Sequence, residues 1–557
     1  MKKYLWVILL LVVPSIVQGA ACTQYVSNSG SASWSNASNI ATPTSPATAL
    51  ANAVADNVVC FRGGSYNAGV SPTDSEQNSW QPANSGTSGH PITFRAYPGE
   101  TPVVTGTWQS SAYNLAQVFG IYGKNYIVID GFTIYGTDGT NPVCGSMRIY
   151  DTTGSVVKNC TVRGIDTGSW TDNVEGIRIE RDTQTTISNN YIYNFSNASL
   201  NHNTSGIKMY DDTYITVENN NIIDCTNGIY VKRQVSDSIF RYNFIKGTYD
   251  GIFDNPGSST YSMYRNKYYH NLIVGCQNAL WVLVEDVYVA DNYEVYNNTV
   301  YYASGSGSDT AILAGNGTGW KIYNNIIQGF GTGRKLLWYP STSVTECDYN
   351  QYGTGTFNVV TNLYGGGGTR TYTSLANWHA STEVTGSVHP EGASSLNGLA
   401  SDPLFVNTSG NLNQIADFAL QGGSPSKGTG KAGADMGADV TLVGVSGGGQ
   451  QPPADTTAPV VTAFIIPDTA TTLLVAITTF TCTDAVGVTG YLANESASAP
   501  TAGDAGWVAS AQTSYTFASQ GAKTLYGWCK DAAGNISSSL NDSVTITLPQ
   551  CLIPWIH

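Results

Sequence analysis

The chain has 557 residues, of which only 11% are charged, and a formal net charge of -14. That acidic balance argues against a nucleic-acid partner, whose binders carry an excess of Lys and Arg, but leaves room for an acidic polysaccharide met by a local basic strip. Gly (60), Tyr (34) and Trp (12) are abundant, as suits an extracellular all-β protein.

Lys2 and Lys3, the apolar run Leu5 to Val17, and the small residues Gly19, Ala20 and Ala21 before Cys22 have the layout of a secretory signal peptide over residues 1–21. Gly19 stands where a lipoprotein signal has Leu, which weighs against lipidation of Cys22. No later apolar run approaches the roughly 20 residues a membrane span needs. The expectation is a secreted or cell-surface protein without a membrane span. Export permits disulfides among the ten cysteines, and the preferred pairs are Cys22 with Cys60 and Cys482 with Cys529. Ala47 to Ala55 reads as a short apolar helix that caps the strands after it, so that the first strand edge is not left bare.

From Tyr126 to Phe330 one phrase returns eight times, as in Ile129-Asp-Gly-Phe-Thr-Ile134, Ile187-Ser-Asn-Asn-Tyr-Ile192 and Ile322-Tyr-Asn-Asn-Ile-Ile327. Its fourth position falls at 132, 160, 190, 220, 243, 271, 298 and 325, a period of supersecondary size. A second phrase follows in each repeat, as in Gly176-Ile-Arg-Ile-Glu180 and Gly228-Ile-Tyr-Val-Lys232, with the period-two alternation of a half-buried strand. Coils of this length predict an all-β right-handed parallel β-helix, a solenoid with rungs about 4.8 Å apart, over residues 22–443 with its amino-terminal cap. Asn159, Asn189, Asn190, Asn219, Asn220, Asn243, Asn271, Asn297, Asn298, Asn324 and Asn325 would turn the chain and bond from rung to rung, with His270 structural in the same ladder. Cys225 and Cys276, about two rungs apart, are too distant to bond and read as core fillers. Residues 444–458 form a flexible linker by composition. Residues 459–548 alternate as a small β-sandwich should, and 549–557 are a tail in which Cys551 has no evident partner.

Val59-Cys-Phe-Arg-Gly-Gly-Ser-Tyr66 and Ser85 to Glu100, with Ser401-Asp-Pro-Leu-Phe-Val406, Phe418 to Pro425 and Asp435-Met-Gly437, resemble the entry and closing segments of secreted β-helix proteins of the pectate-lyase-like superfamily. The resemblance covers about residues 22–443 and implies the fold; the superfamily includes lyases, hydrolases, epimerases and members with no known activity. Lyases sharing this entry carry a calcium-binding phrase like Asp-Asp-Gly-Trp-Asp. The nearest phrases here are Tyr249 to Asp254 and Tyr210 to Thr213, so no cofactor is firmly implied and calcium stays an open expectation. Thr478 to Val488 and Lys523 to Asn535 resemble bacterial immunoglobulin-like modules, in which Cys482 and Cys529 would staple facing sheets.

If Met147, Ile177, Ile207, Ile229, Ile252, Leu280 and Ile312 point inward, period two sends Arg148, Arg178, Lys208, Tyr230, Phe253, Trp281 and Leu313 outward. Two residues further on stand Tyr150, Glu180, Tyr210 and Lys232. This is a basic strip passing into an aromatic one, suited to an anionic polysaccharide: Arg148, Tyr150, Glu180, Tyr230 and Trp281 would bind it. For an elimination, Arg178 would neutralise a uronate carboxylate, Lys208 or Lys232 would take the adjacent proton, and Tyr210 would protonate the leaving oxygen. A glycoside hydrolase would instead use Glu180 with Asp211 or Asp212. The bland alternative is a solvated face whose cations pair with Glu175, Glu180 and Asp211. His202, in a loop beside Lys208, is either a general base or an ordinary surface residue. Asp254 falls in an inward register, so either the strand ends before Pro256, the preferred choice, or a buried acid exists. Two functions stay open: a secreted polysaccharide-engaging protein, a lyase if an enzyme, and a non-catalytic surface or matrix scaffold or adhesin. Either is expected as a monomer.

Overall fold

The structure, a computed structural model, describes residues 21–70, 78–107, 117–136, 147–164, 174–196, 203–255, 261–282, 289–302, 310–315, 317–328, 335–339, 342–353, 359–363, 368–380, 394–397, 402–408, 414–445, 458–484, 488–531 and 534–549. Residues 1–20 of the expected signal peptide 1–21, Cys144, His202, most of the expected linker and Cys551 lie outside them. The chain divides into two units, Met1–Gln450 and Gln451–His557.

The first unit is the expected solenoid. Each repeat supplies three short strands, for example Val174–Glu180, Thr186–Ser188 and Tyr191–Tyr193, after which Thr204–Tyr210 begins the next rung on top of the first. Three sheets of twelve strands result, named here the site sheet, the second sheet and the third sheet in that order. Pairing within them is parallel, except where Val359–Leu363 meets Gly368–Tyr372 at the end of the site sheet. Eleven steps of about 4.8 Å make a rod of about 53 Å. The rungs outnumber the eight recognisable phrases. Rung length varies without loss of register: ten residues (194–203) separate Tyr193 from Thr204, but only three (224–226) separate Ile223 from Asn227. The slack lies in the connections into and out of the site sheet: five residues (211–215) separate Tyr210 from Thr216, but eleven (256–266) separate Asn255 from Lys267.

All seven inward positions of the site sheet are buried in one continuous core, with Met147, Ile177, Ile207 and Ile229 at 0% exposure. Gly206, which opens one site strand, has no room for a side chain: a Cβ there would stand 2.7 Å from Ile222 Cγ2 and 2.9 Å from the Gly228 carbonyl oxygen. Between second and third sheets, the paired Asn positions divide their work. The first member takes the left-handed backbone at Asn159, Asn189, Asn219, Asn297 and Asn324, and Tyr242 and His270 take it in the intervening rungs. The second member is buried, and its Oδ1 accepts from the rung before it: Asn190 from Cys160, then Asn220, Asn243, Asn271, Asn298, Asn325 and finally Asn350. A buried amide is costly unless every donor finds an acceptor, and this ladder supplies them rung by rung.

At the amino end, helix α1 (Pro46–Asn52), N-capped by Ser45, sets Ala49 and Leu50 into the rod core, as the apolar run predicts. Cys22 and Cys60 are joined in a disulfide, as expected, so the Cys22 sulfur is taken up. Cys225 and Cys276 are buried and not bonded to each other, and Cys160 and Cys347 are buried as well.

The closing segment returns along the flank of the rod. The Lys431 amide donates to Asn324 Oδ1, Asn297 Nδ2 to the Asp435 carbonyl, the Asp439 amide to His270 Nδ1, and the Gly444 amide to the Tyr242 carbonyl. Phe405, Phe418, Met436 and Val443 on it form a second cluster with Phe244, Leu272, Val274 and Ile326 of the third sheet. Gly444 and Val445, placed in the linker by composition, are bonded to the rod at Tyr242 and Asn221, so the segment reaches further than residue 443.

Asp254 corrects the sequence reading. The strand Asp250–Asn255 does not stop before it; the side chain enters the core, where its Oδ2 accepts from the hydroxyls of Tyr268 and Tyr293, the latter at 3.0 Å. Burial raises its pKa to about 7 despite these bonds and the help of Asn266.

The second unit is a small β-sandwich with its own core, including Phe464, Phe480, Phe517 and Leu525. Val460–Ile465 pairs with Thr479–Thr483, while Val488–Asn494, Gly521–Asp531 and Leu540–Ile546 form the larger sheet. The expected Cys482–Cys529 disulfide joins these two sheets.

Candidate functional site

Pairing in the site sheet stacks Arg148, Arg178, Lys208, Tyr230, Phe253, Trp281 and Leu313 one rung apart on the face turned from the core. Tyr150, Glu180, Tyr210 and Lys232 stack two positions on. The columns of the sequence reading are therefore in line.

They are not an open strip. Arg148 is 2% exposed, Arg178 5%, Lys208 0%, Tyr230 4% and Phe253 1%, although none belongs to the core cluster. Tyr150 and Tyr210 are buried too. Glu180, Lys232 and Trp281 are half-buried. Outward register is thus not exposure.

Ion pairs organise the buried part. Arg178 reaches Glu175 Oε1 and Glu180 Oε2, each at 3.1 Å, and Arg148 shares Glu180 Oε2 at 3.1 Å. Lys208 Nζ stands 3.5 Å from Glu175 Oε1 and donates to Asn203 Oδ1 at 3.3 Å. Glu175 is itself fully buried, and its Oε2 has no hydrogen-bond partner among the described residues. The pairs with Glu175, Glu180 and Asp211 that the bland reading foresaw exist, but the first two are buried rather than solvated.

Aromatic faces complete the arrangement. Arg178 lies 4.3 Å from the Tyr210 ring centroid, and Lys208 and Lys232 lie 5.0 and 5.5 Å from that of Tyr230, within cation–π range. Tyr230 leans on Phe253 at 4.8 Å, and Phe253 on Trp281 at 5.4 Å.

Burial dominates the electrostatics. It lowers the Lys208 pKa to about 7; Glu175 opposes the shift, while Arg178 and Arg233 add to it. Lys232 is lowered for the same first reason, with Lys208, Arg233 and Arg178 pushing the same way against Tyr210. Burial raises the Tyr210 phenol, against the pull of Arg178. In Glu180 burial would raise the carboxyl, but Arg178 and Arg148 outweigh it and hold the group low.

The aspartates named for a hydrolase have other partners. Asp212 is fully buried and spends its oxygens on the backbone amides of Asp182 and Tyr210, while Asp211 pairs with Arg233 at 3.0 Å. Nor do the acids nearest the calcium phrase converge: Asp250 accepts from Asn278 and Asp254 is in the core. Among the described residues no three His, Cys, Asp or Glu side chains are grouped to hold a metal ion.

The sequence reading missed the turn beyond the strands. Asp151, Arg181, Asp211 and Arg233 follow Tyr150, Glu180, Tyr210 and Lys232 directly, all in left-handed backbone. Arg181 is exposed and lies 4.2 Å from the Tyr150 ring centroid. Position immediately after the outward column was the available signal.

Among solved structures, the chain is similar to pectate lyase Pel9A at 14% identity, covering 75% of this chain and 96% of that one with a TM-score of 0.43. It is similar to a rhamnogalacturonan lyase at 13% identity (57% and 84% covered, TM-score 0.37). It is also similar to PfbA, a surface adhesin of Streptococcus pneumoniae, at 11% identity (57% and 86% covered, TM-score 0.36). No curated protein matches the chain in sequence. Residues 117–300 match the family described as a right-handed β-helix region, and the three parallel sheets of the first unit have that architecture.

Proposed function

We propose that this is a secreted or cell-surface protein that engages a uronate-containing polysaccharide at the carboxyl ends of the site strands and cleaves it by elimination. The observation that carries the reading is the register itself, which lines Arg148, Arg178 and Lys208 beside Tyr210, Lys232 and Tyr230 on a protein of net charge -14. The sequence reading names Lys208 first as the base, with Lys232 as the other choice; the full burial of Lys208 favours Lys232 instead, which is half-buried. The Lys208, Arg233 and Arg178 charges help burial keep the Lys232 amine below its ordinary pKa, which favours the neutral form a base needs. Lys232 takes the proton next to the substrate carboxylate, Tyr210 protonates the departing glycosidic oxygen, and the C–O bond breaks to leave an unsaturated uronate end. Arg178 supplies positive potential behind the carboxylate.

A second reading, a non-catalytic scaffold or adhesin, is favoured by one specific observation: Arg148, Arg178 and Lys208 are buried and already matched by Glu175 and Glu180. The test is ultraviolet absorbance of unsaturated ends on polygalacturonate, rhamnogalacturonan and alginate, with a chelator arm to read any divalent-cation requirement. The expected result is product formation that falls at least about 100-fold in Lys232→Gln and in Tyr210→Phe. Retention without product supports the second reading, and neither product nor retention on any glycan removes the polysaccharide reading.

A further inference from the structure

The turns between the second and third sheets also carry the closing segment. At their left-handed positions Asn219 Nδ2 donates to the Leu442 carbonyl, Asn297 Nδ2 donates to the Asp435 carbonyl, and Asn324 Oδ1 accepts from the Lys431 amide. His270 holds the same position (φ 52°) in the rung before Asn297, and its contact is of another kind: Nδ1 of the ring accepts from the Asp439 amide at 3.1 Å. A backbone N–H only donates, so this ring nitrogen carries no proton; an imidazolium, protonated on both nitrogens, offers no acceptor. Asn side chains do not titrate. Of these anchors, His270 is therefore the one that mild acid can remove.

The surroundings of the ring favour its neutral form. It is half-buried, stacks on the Tyr242 ring at 5.2 Å between centroids with planes 12° apart, and meets the Tyr269 ring edge-on at 5.9 Å. Burial lowers its pKa below the ordinary imidazole value, against the opposing pull of the Asp439 carboxylate and the Gly437 backbone. The charged groups around it are engaged elsewhere. Asp439 Oδ1 accepts from the Thr441 amide and hydroxyl, Asp435 Oδ1 accepts from the Gly428 amide, and Arg241, 5.6 Å from the Tyr242 ring centroid, pairs with Glu218 at 2.6 Å. We propose that His270 is an acid-sensitive latch on the closing segment: when Nδ1 takes up a proton, the Asp439 amide loses its acceptor and the stretch 439–441 lifts from the turn. Val440 in that stretch packs against the cluster that holds Phe244 and Leu272, so opening the latch loosens the cover of the third sheet at that point. The bond is present above about pH 6.5, where the ring is neutral in folded and unfolded chain alike, and is lost as pH falls through the lowered value of the folded state.

The experiment follows hydrogen–deuterium exchange of the full chain at pH 7.5 and pH 5, as protection factors corrected for the intrinsic exchange rate at each pH. In the wild type, protection over residues 439–441 should fall at least about threefold at pH 5, with Thr186–Ser188 of the second sheet unchanged. His270→Asn sets Oδ1 where the imidazole has Nδ1, at a position that neighbouring rungs fill with Asn, and should keep its protection at both pH values. His270→Tyr uses the residue that Tyr242 places in left-handed backbone one rung earlier; it sets no acceptor at that point and should show the low protection at both pH values. Unfolding midpoints check that each variant is folded, and either variant alone decides the point. Wild-type protection that is the same at pH 7.5 and pH 5 overturns the latch. So does a fall at pH 5 that persists in His270→Asn or in His270→Tyr.

Discussion

At the residue scale, two buried ionisable groups shift in opposite senses. Asp254 has a folded-state pKa of about 7, above its ordinary value, so the folded protein holds a proton there that the unfolded chain releases near pH 4. Its contribution is therefore full below about pH 4, is lost as pH rises towards 7, and is flat above. Asp254→Asn keeps the shape and removes the titration, so the fall in unfolding midpoint between pH 5 and pH 8 should be smaller in the variant than in the wild type. Equal falls would contradict the burial argument. Lys208 is lowered to about 7, and its effect is of the other sign. Replacing it by Met removes a charge that depresses Lys232, so the acid limb of the kcat/KM profile should move to higher pH; an unmoved limb would show that Lys232 is not the base. Sequence exposed neither buried state. The reading put Asp254 at an inward position and then discounted it, because an acid in a core is too costly without partners, and Tyr268 and Tyr293 are 14 and 39 residues away in the chain.

At the element scale, the repeated phrase was legible because every rung asks the same two things of its turn: one residue that accepts left-handed backbone and one amide that bonds upward. The two requests have different energies. Asn243→Ala leaves the Asn220 backbone and side-chain donors without their acceptor in a buried place, at about 2–4 kcal/mol. Asn219→Ala, in the αL position, costs about 1–2 kcal/mol of backbone strain. Denaturant unfolding of the two variants should rank them in that order; the reverse order would mean that the turn backbone, not the amide ladder, limits stability. Rungs lacking the phrase, such as Ile92–Ala96 and Lys335–Tyr339, were invisible because parallel pairing needs only alternation, not a signature. The strip was legible as a column but not as a covered one, since period two gives the face of a sheet and says nothing of what lies over it. The flank-hugging return of residues 402–445 was hidden for a related reason: its anchors, Asn324, Asn297 and His270, lie more than a hundred residues back in the chain.

At the scale of the whole molecule, the register gathers Arg148, Arg178, Lys208 and Lys232, with Arg181 and Arg233 after them, on one edge of one sheet, and the loops entering that sheet vary in length while the register beneath them does not. A scaffold that is constant along its axis thus presents a site that is local. Where a polysaccharide sits can be read by hydrogen–deuterium exchange of the full chain with and without saturating polyuronate. The account predicts added protection confined to the carboxyl ends of Val174–Glu180, Thr204–Tyr210 and Asn227–Lys232 and to the turn that follows each. Protection on the third sheet or the closing segment, with these strands unchanged, would contradict it.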